Sequence, residues 1–349
     1  MKIVLFCEQR YAISILSPLQ EEIDGGGEHE ALWFVDARNI PSFPLREAVK
    51  WTNSIQAVRD FAPDAIFVPG NIVPYYLRGV KVEIFHGYAA EKKGHWKVRH
   101  YLDLYLTQGP YFTARFKELA RRRGDFEVVE TGWPRQDWIH AHLHDFDGEK
   151  ARLLRASGRQ QVVLYAPTFS PSLTSLPFMR EGLERLVAER DVLLLLKFHP
   201  LTRAGWVEEY REMAATREHV IWIDDHQLTK YILMADVVIS DTSSALYEAL
   251  LLDKPVVTRG NAAETRYWPD FTDISALPSA IDEAFSMEYA EKRRWIIENY
   301  DPHRDGLVAR RMITAVSDYI ARHGVPSRRR LNPWRKYQCI KKFGRARGR

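Results

Sequence analysis

Short apolar runs rich in Val, Ile and Leu alternate with helical segments along most of the chain. This alternation predicts parallel sheets joined by crossover helices, and hence an α/β fold. The strands predicted in the first half are Ile3–Phe6, Ala31–Val35, Ala65–Val68, Val82–Phe85, Leu104–Thr107 and Val128–Glu130. Those predicted in the second half are Val162–Tyr165, Val192–Phe198, Val220–Ile223, Val237–Ile239 and Val256–Val257.

The length of 349 residues exceeds what one hydrophobic core usually serves, so we expect two domains. A polar helical segment, Ala141–Arg159, separates the two series of strands. We predict a Rossmann-like acceptor lobe over residues 1–148 and a second Rossmann-like lobe over residues 149–301. A helix over residues 302–325 is then placed to cross back to the first lobe, and a basic tail covers residues 326–349.

The charge of the chain is concentrated at its end. The formal net charge is +4, yet the segment Arg328–Arg349 holds ten Lys or Arg and no acid, so the rest of the chain is net negative. We expect this tail to be disordered, or ordered only on a surface. It suits an anionic membrane surface, with Trp334, Tyr337 and Phe343 inserted at the interface; a solvated tail is the alternative. Because the acidic body offers no continuing basic groove, we expect no nucleic-acid partner.

Localisation and cofactors follow from what the sequence does not contain. No apolar run approaches the roughly 20 residues of a membrane span, and the strand-like start Met1–Cys7 lacks a basic leader. We therefore expect a cytoplasmic protein, held peripherally on the inner face of the cell membrane. Neither cysteine lies in a CxxC pair, and no carboxylate cluster marks a metal site. We expect no bound cofactor.

One strand of the second half turns into a helix through small hydroxyl residues. The hydroxyls of Ser243 and Ser244, with the N–H groups of the helix start, can bind a phosphate. Glu248 lies one helical turn after Ser244 and can accept hydrogen bonds from ribose hydroxyls. The alternative is an ordinary helix cap by Asp241 or Thr242, with Glu248 facing solvent.

Two further candidates follow strands of the second half. His199 ends the strand that begins at Val192 and precedes Pro200, so its imidazole can donate to a phosphate oxygen at the sheet edge. Thr168 follows another strand, and its hydroxyl can contact a phosphate or an acceptor. A structural histidine and a simple turn are the alternatives.

The first half carries one candidate base. His86 follows a predicted strand, and Gly87 allows a substrate to approach the backbone. A histidine in this position suits a general base for a hydroxyl nucleophile. Lys92 and Lys93, in the loop that follows, can attract an anionic acceptor. A purely structural histidine is again the alternative.

Seven segments occur in a fixed order from His86 to Ile313. They are His86–Gly87 with the lysines and Gly94 that follow, Thr107–Gly109, Thr131–Asp137, Ala166–Phe169, Lys197–Pro200, Asp236–Glu248 with Lys254–Val257, and Asp305–Gly306 ahead of Arg310 and Arg311. Together they resemble the CDP-glycerol glycerophosphotransferase family of teichoic-acid primases and polymerases. The first segment departs from the family pattern at Ala89, where the family has proline, and at Glu91, where it has lysine.

The resemblance implies two Rossmann-like lobes of the GT-B type, with CDP-glycerol held mainly by the second. It implies that His86 deprotonates an acceptor hydroxyl on a glycan or lipid-linked glycan, which attacks the β-phosphorus and expels CMP. Other residues would hold the pyrophosphate, and Glu248 the ribose. The implied pyrophosphate residues are Thr168, His199, Ser243 and Ser244.

Two other classes of function remain open. One is a GT-B glycosyltransferase, or an enzyme similar to UDP-sugar epimerases, which would use a nucleotide sugar. An epimerase requires additional acids and bases around the sugar ring, and the sequence does not place them. The other is a non-catalytic module of the membrane surface that keeps the fold.

Overall fold

The computed structural model describes residues 1–43, 47–70, 72–88, 95–98, 101–225, 227–330 and 332–345. The chain forms two compact units. The first consists of Met1–Ala141 with Tyr300–Arg349, and the second of His142–Asn299.

The first unit is built on a seven-stranded sheet in which all the pairings are parallel. Its strands are β1 (Lys2–Cys7), β2 (Glu30–Val35), β3 (Trp51–Thr52), β4 (Ala65–Val68), β5 (Val80–Glu83), β6 (Leu104–Thr107) and β7 (Glu127–Glu130). Its first helices are α1 (Tyr11–Gly26), α2 (Ile55–Phe61), α3 (Pro110–Arg123) and α4 (Arg135–Ala141). The strand order β3-β2-β1-β4-β5-β6-β7 reverses direction between β1 and β4, where an open α/β sheet binds ligands.

The second unit repeats this plan with a six-stranded parallel sheet, in the order β10-β9-β8-β11-β12-β13. The strands are β8 (Gln161–Tyr165), β9 (Val192–Leu196), β10 (Val220–Trp222), β11 (Val237–Ser240), β12 (Val256–Arg259) and β13 (Asp270–Phe271). The helices are α5 (Asp147–Ser157), α6 (Leu176–Glu189), α7 (Ala204–Thr216), α8 (Leu228–Met234), α9 (Ala245–Leu251), α10 (Leu277–Ala284) and α11 (Met287–Tyr300). The order reverses between β8 and β11.

The central strands explain the continuous apolar runs of the sequence. Every residue of β9 is buried, and so is every residue of β1 after Lys2. A parallel sheet covered by helices on both faces buries both sides of each strand, so its strands are apolar without alternation. The predicted α/β class with two sheets is confirmed.

The structure differs from the predicted strands at several ends and at the sheet edges. Strand β9 ends at Leu196, two residues before the predicted end, and β12 continues to Arg259, two residues beyond it. Strand β5 ends at Glu83, two residues before the predicted end, because Phe85 adopts a left-handed φ of 59° that an extended ladder does not accommodate. The edge strands β3 and β13 have two residues each and were not predicted. Two residues are too few to produce a recognisable periodicity.

The chain returns to the first unit through α12 (Val308–His323) and α13 (Pro333–Phe343). The prediction of a disordered or surface-ordered tail is wrong for its described residues. Cys339 is 2% exposed, and the Phe343 ring contacts the Phe6 ring of β1 at a centroid distance of 5.7 Å. Cys339 and Phe343 lie four residues apart, so one face of α13 packs both against the first unit, Cys339 buried and Phe343 partly buried.

Candidate active site

His86 lies at the carboxyl edge of the sheet in the first unit, exposed and just beyond β5. Its Nδ1 is 3.0 Å from the carbonyl oxygen of Pro69. Since a carbonyl oxygen only accepts, Nδ1 carries the proton, and the neutral ring has its lone pair on Nε2. This tautomer presents Nε2 as the basic nitrogen.

The backbone beside His86 is closely packed. Gly70 follows Pro69, and a Cβ added at Gly70 would lie 2.7 Å from Oε2 of Glu8, so glycine suits this position. Glu8 directly follows β1 and is 6% exposed. Burial raises the pKa of its carboxyl, although Lys342 Nζ donates to it at 2.5 Å. The tail helix thus brings a cation to the point where the strand order reverses.

The other predicted acceptor residues are only partly described. Gly87 accepts a hydrogen bond on its carbonyl from Gln108 Nε2 at 2.9 Å, which fixes the backbone after His86. Lys92 and Lys93 lie outside the described residues.

His199 lies at the carboxyl edge of the sheet in the second unit, exposed beyond β9. The backbone N–H of Leu201 donates to its Nδ1 at 3.1 Å. Nδ1 therefore carries the lone pair, and in the neutral ring the proton lies on Nε2. Partial burial of the ring, and then the nearby Lys197 ammonium, lower the pKa of His199, so the ring is neutral near pH 7. Its Nε2–H is a donor suited to a phosphate oxygen.

Thr168 is fixed through its backbone. It lies in the loop after β8, and its N–H donates to Oδ1 of Asp241 at 2.8 Å. The next residue, Phe169, stacks on the His199 ring at a centroid distance of 4.3 Å. Strands β8 and β9 are neighbours, and the structure connects Thr168 with His199 through Phe169.

Ser243 and Ser244 follow Asp241 at the start of α9. Ser244 occupies the N-cap position without a side-chain capping bond, and Ser243 Oγ accepts from the N–H of Ala245 at 3.3 Å. The alternative of a cap by Asp241 or Thr242 is not seen. The Asp241 carboxylate accepts hydrogen bonds from another loop, and the Thr242 hydroxyl accepts from the N–H of Ala262 at 3.0 Å.

Glu248 is half-buried rather than solvated. The hydroxyl of Thr229, in the first turn of α8, donates to Glu248 Oε2 at 3.4 Å. This contact fixes the side chain toward the start of α8.

Sequence reasoning did not single out Asp241 as a candidate site residue. Its side chain is fully buried, and burial raises its pKa to about 6. The one available signal was its position directly after a central apolar strand, where a capping role is the commoner interpretation. Asn261, after β12, also was not singled out, and its Nδ2 donates to the Asp241 carbonyl at 2.9 Å.

Among the described residues, no group of three or more His, Cys, Asp or Glu is arranged to hold a metal ion. Each unit instead presents a histidine at the carboxyl edge of its parallel sheet, His86 in the first unit and His199 in the second. Two open parallel sheets of this kind define the class of α/β proteins with two Rossmann-like units, in which ligands bind at the carboxyl edge of the strands.

The chain belongs to the CDP-Glycerol:Poly(glycerophosphate) glycerophosphotransferase family, whose model matches residues 78–265. It is 29% identical to a teichoic acid glycerol-phosphate primase of Bacillus spizizenii over 167 residues, which cover 46% of this chain and 41% of the relative. It is 30% identical to the teichoic acid ribitol-phosphate polymerase TarK of Staphylococcus aureus over 142 residues, covering 37% and 26%. The chain thus spans less than half the length of these curated relatives.

Two solved structures, those of TagF and MnaA, have the same fold as this chain. The wall teichoic acid polymerase TagF matches with a TM-score of 0.66 and 15% identity, covering 92% of this chain and 89% of TagF. MnaA of S. aureus in complex with UDP matches with a TM-score of 0.69 and 15% identity, covering 92% and 97%. These likenesses show the fold alone, and they confirm the prediction of two Rossmann-like units of the GT-B type.

Proposed function

We propose that this protein transfers glycerol phosphate from CDP-glycerol to a hydroxyl of a glycan or lipid-linked glycan and releases CMP. Membership of the glycerophosphotransferase family supports the reaction class. The observation that carries the proposal is the opposite tautomers of two histidines. His86 has its basic nitrogen at Nε2, and His199 has its donor there.

The two tautomers suit the two halves of a phosphoryl transfer. In the first unit, Nε2 of His86 takes the proton of the acceptor hydroxyl as its oxygen bonds to the β-phosphorus of the donor. The bond from this phosphorus to the bridging oxygen breaks, and CMP leaves with the electron pair. The acceptor then carries the glycerol phosphate in a new phosphodiester.

The second unit holds the donor in this proposal. The Nε2–H of His199 donates to the diphosphate and offsets the negative charge that grows on the leaving CMP. Glu248 accepts from the ribose hydroxyls, at the position where Thr229 orients it. Three hydroxyls also donate hydrogen bonds to the diphosphate oxygens, those of Thr168, Ser243 and Ser244.

Relatives named for glycerol phosphate and for ribitol phosphate both match the chain. The experiment must therefore determine which alditol the nucleotide donor carries. The purified protein is incubated with CDP-glycerol, CDP-ribitol or UDP-N-acetylglucosamine and with free and lipid-linked disaccharide acceptors. We expect acceptor-dependent CMP release that is fastest with CDP-glycerol. Faster CMP release from CDP-ribitol would show that CDP-ribitol, not CDP-glycerol, is the donor. Release of UDP would instead favour the alternative class of enzymes that use nucleotide sugars.

We also propose that α13 holds the protein on an anionic membrane surface. Trp334 and Tyr337 are 65% and 54% exposed, and their rings stack at 5.8 Å. Exposed cations flank this pair in the sequence, namely Arg328, Arg330, Lys341 and Arg345. Aromatic rings beside cations suit the headgroup region of an anionic leaflet. In the described part of the chain no helix is long and apolar enough to cross a membrane.

The structure changes which tail residues could insert. Phe343 packs against the Phe6 and Phe34 rings, so the predicted insertion of Phe343 is wrong. Among the cations of the tail, Arg329 pairs with Asp103 in the first unit. Sedimentation with vesicles of phosphatidylglycerol or phosphatidylcholine tests the revised surface. We expect binding to the anionic vesicles that a Trp334→Ala, Tyr337→Ala double variant weakens. Equal sedimentation of the two proteins would contradict the assignment.

A further inference from the structure

Asp241 lies at the centre of the second sheet, directly after β11. It is fully buried, and its carboxylate receives three hydrogen bonds. Oδ1 accepts from the N–H of Thr168 at 2.8 Å, and Oδ2 accepts from the N–H and the hydroxyl of Ser175, at 2.8 and 3.0 Å. All three donors are uncharged.

These bonds join the two ends of one loop. Thr168 lies near the start of the loop between β8 and α6, and Ser175 ends it. Ser175 is held further, because its hydroxyl donates to Asp241 and therefore accepts from the hydroxyl of Tyr165 at 2.8 Å. The carboxylate acts as a two-point clamp on the loop.

Only a carboxylate makes this clamp. Asparagine has the same shape, yet its NH₂ group would face the N–H of Thr168 or the N–H of Ser175, donor against donor. In the described part of the chain no cation pairs with the Asp241 carboxylate. A buried carboxylate without a cation is unfavourable, so its presence indicates a requirement that a neutral side chain does not meet.

The clamped loop carries the proposed donor-binding groups. Thr168 is clamped directly, and the next residue, Phe169, lies against the His199 ring. The carbonyl of Asp241 also receives the side chain of Asn261. One buried residue therefore joins the loops that follow β8, β11 and β12, and reaches His199 through Phe169.

We propose that Asp241 is the positioning residue of the donor site, which holds Thr168 and, through Phe169, His199 where they bind the diphosphate. Asp241 acts through these residues and does not itself touch the substrate. The inference rests on the proposed function for the identity of the ligand. The clamp itself is a property of the protein without ligand.

The first test uses the protein without ligand. Hydrogen–deuterium exchange is followed for D241N and for D236N, a matched control with the same substitution at the other end of β11. Asp236 likewise accepts a backbone N–H of β8, that of Val162 at 2.8 Å, but at the edge of the sheet away from the site. We expect the amides of Thr168 and Ser175 to exchange about tenfold faster in D241N, as expected for the loss of a hydrogen bond to a charged acceptor, and to keep wild-type rates in D236N.

The second test separates positioning from simple loss of folded protein. With CDP-glycerol as donor, D241N should raise the donor KM about tenfold and leave the acceptor KM within about twofold, whereas D236N should leave both unchanged. A fall in the active fraction alone would lower kcat and leave the donor KM as it is.

The outcomes are distinct. Wild-type exchange at Thr168 and Ser175 in D241N, or equal changes in the two KM values, would overturn the positioning role. If the wild-type protein does not turn over CDP-glycerol, the proposed function fails, and the exchange measurement still decides whether Asp241 clamps the loop. Faster exchange in D241N alone then supports the clamp, and equal exchange in D241N and D236N refutes it.

Discussion

Phe169 lies against His199 with the two ring centroids 4.3 Å apart and the ring planes 27° from parallel. The contact orients an exposed imidazole whose Nδ1 is already fixed by the N–H of Leu201. Two restraints therefore set the direction of the Nε2–H bond.

The first prediction concerns this stack. Phe169→Ala should lower kcat/KM for the donor about three- to tenfold, the equivalent of one aromatic contact. Phe285→Ala, at a 46% exposed phenylalanine of the same unit, serves as the control and should leave kcat/KM unchanged. Equal rates for the two variants in steady-state assays would show that the stack does not orient His199.

The second prediction concerns the start of α12. The Asp137 carboxylate in α4 accepts the N–H groups of Val308 and Ala309 at 2.9 and 2.7 Å, and so caps the helix from a distant part of the chain. Asp137→Ala should lower the free energy of unfolding by about 1–2 kcal/mol. Asp318→Ala, at an exposed position of the same helix, should change it by less than about 0.5 kcal/mol. Urea denaturation measures both, and equal losses would argue against the cap.

The third prediction concerns the tail. Arg329 and Asp103 form a pair whose side chains are 11% and 7% exposed, and Asp103 also accepts the N–H of Lys81 at 2.8 Å. Arg329→Ala leaves Asp103 buried without its cation and should cost about 3–5 kcal/mol of stability. The neighbouring Arg330 is exposed, and Arg330→Ala should have little effect. Similar denaturation midpoints for the two variants would show that the tail does not stabilise the first unit.

The fourth prediction concerns pH. Burial raises the pKa of Asp241 to about 6 from its usual 3.8, so between these values the folded protein holds a proton that the unfolded chain has lost. The stability that this proton provides is complete below the unfolded pKa and is lost as the pH rises to about 6, by up to about 3 kcal/mol. Asp241→Asn should remove this dependence from denaturation curves measured between pH 4 and 7, whereas Asp236→Asn should keep it. Parallel pH curves for wild type and Asp241→Asn would contradict the raised pKa.

The parallel sheets could be predicted from the sequence, because strands buried on both faces are continuous apolar runs. β4 and β6 have the predicted bounds. The end of β5 could not be predicted, because it depends on the left-handed conformation of Phe85, which apolar periodicity does not report.

The clamp by Asp241 could not be predicted for a different reason. Its partners include backbone N–H groups of residues more than sixty positions away. Almost every residue type has a backbone N–H, so such a bond does not restrict which amino acid occurs at the partner position. The helix of the tail was predictable in part, since Asn332 before Pro333 is a helix-start signal and Cys339 and Phe343 share one face. The ten Lys and Arg residues of the tail favoured a prediction of disorder over this helix signal.

The roles of His86 and His199 are tested most directly by asking whether glutamine can perform the function of either histidine. A glutamine amide can donate a hydrogen bond near the position of Nε2, but it cannot take up a proton. CMP release from CDP-glycerol is measured with saturating acceptor for H86Q, H199Q and H144Q, the last at a histidine that is 81% exposed. We expect H86Q to lose about 10²- to 10⁴-fold in kcat, H199Q to stay within about tenfold of wild type, and H144Q to be unchanged. Activity that survives in H86Q, or a loss in H199Q as large as in H86Q, would contradict the assignment of His86 as the base and His199 as the donor.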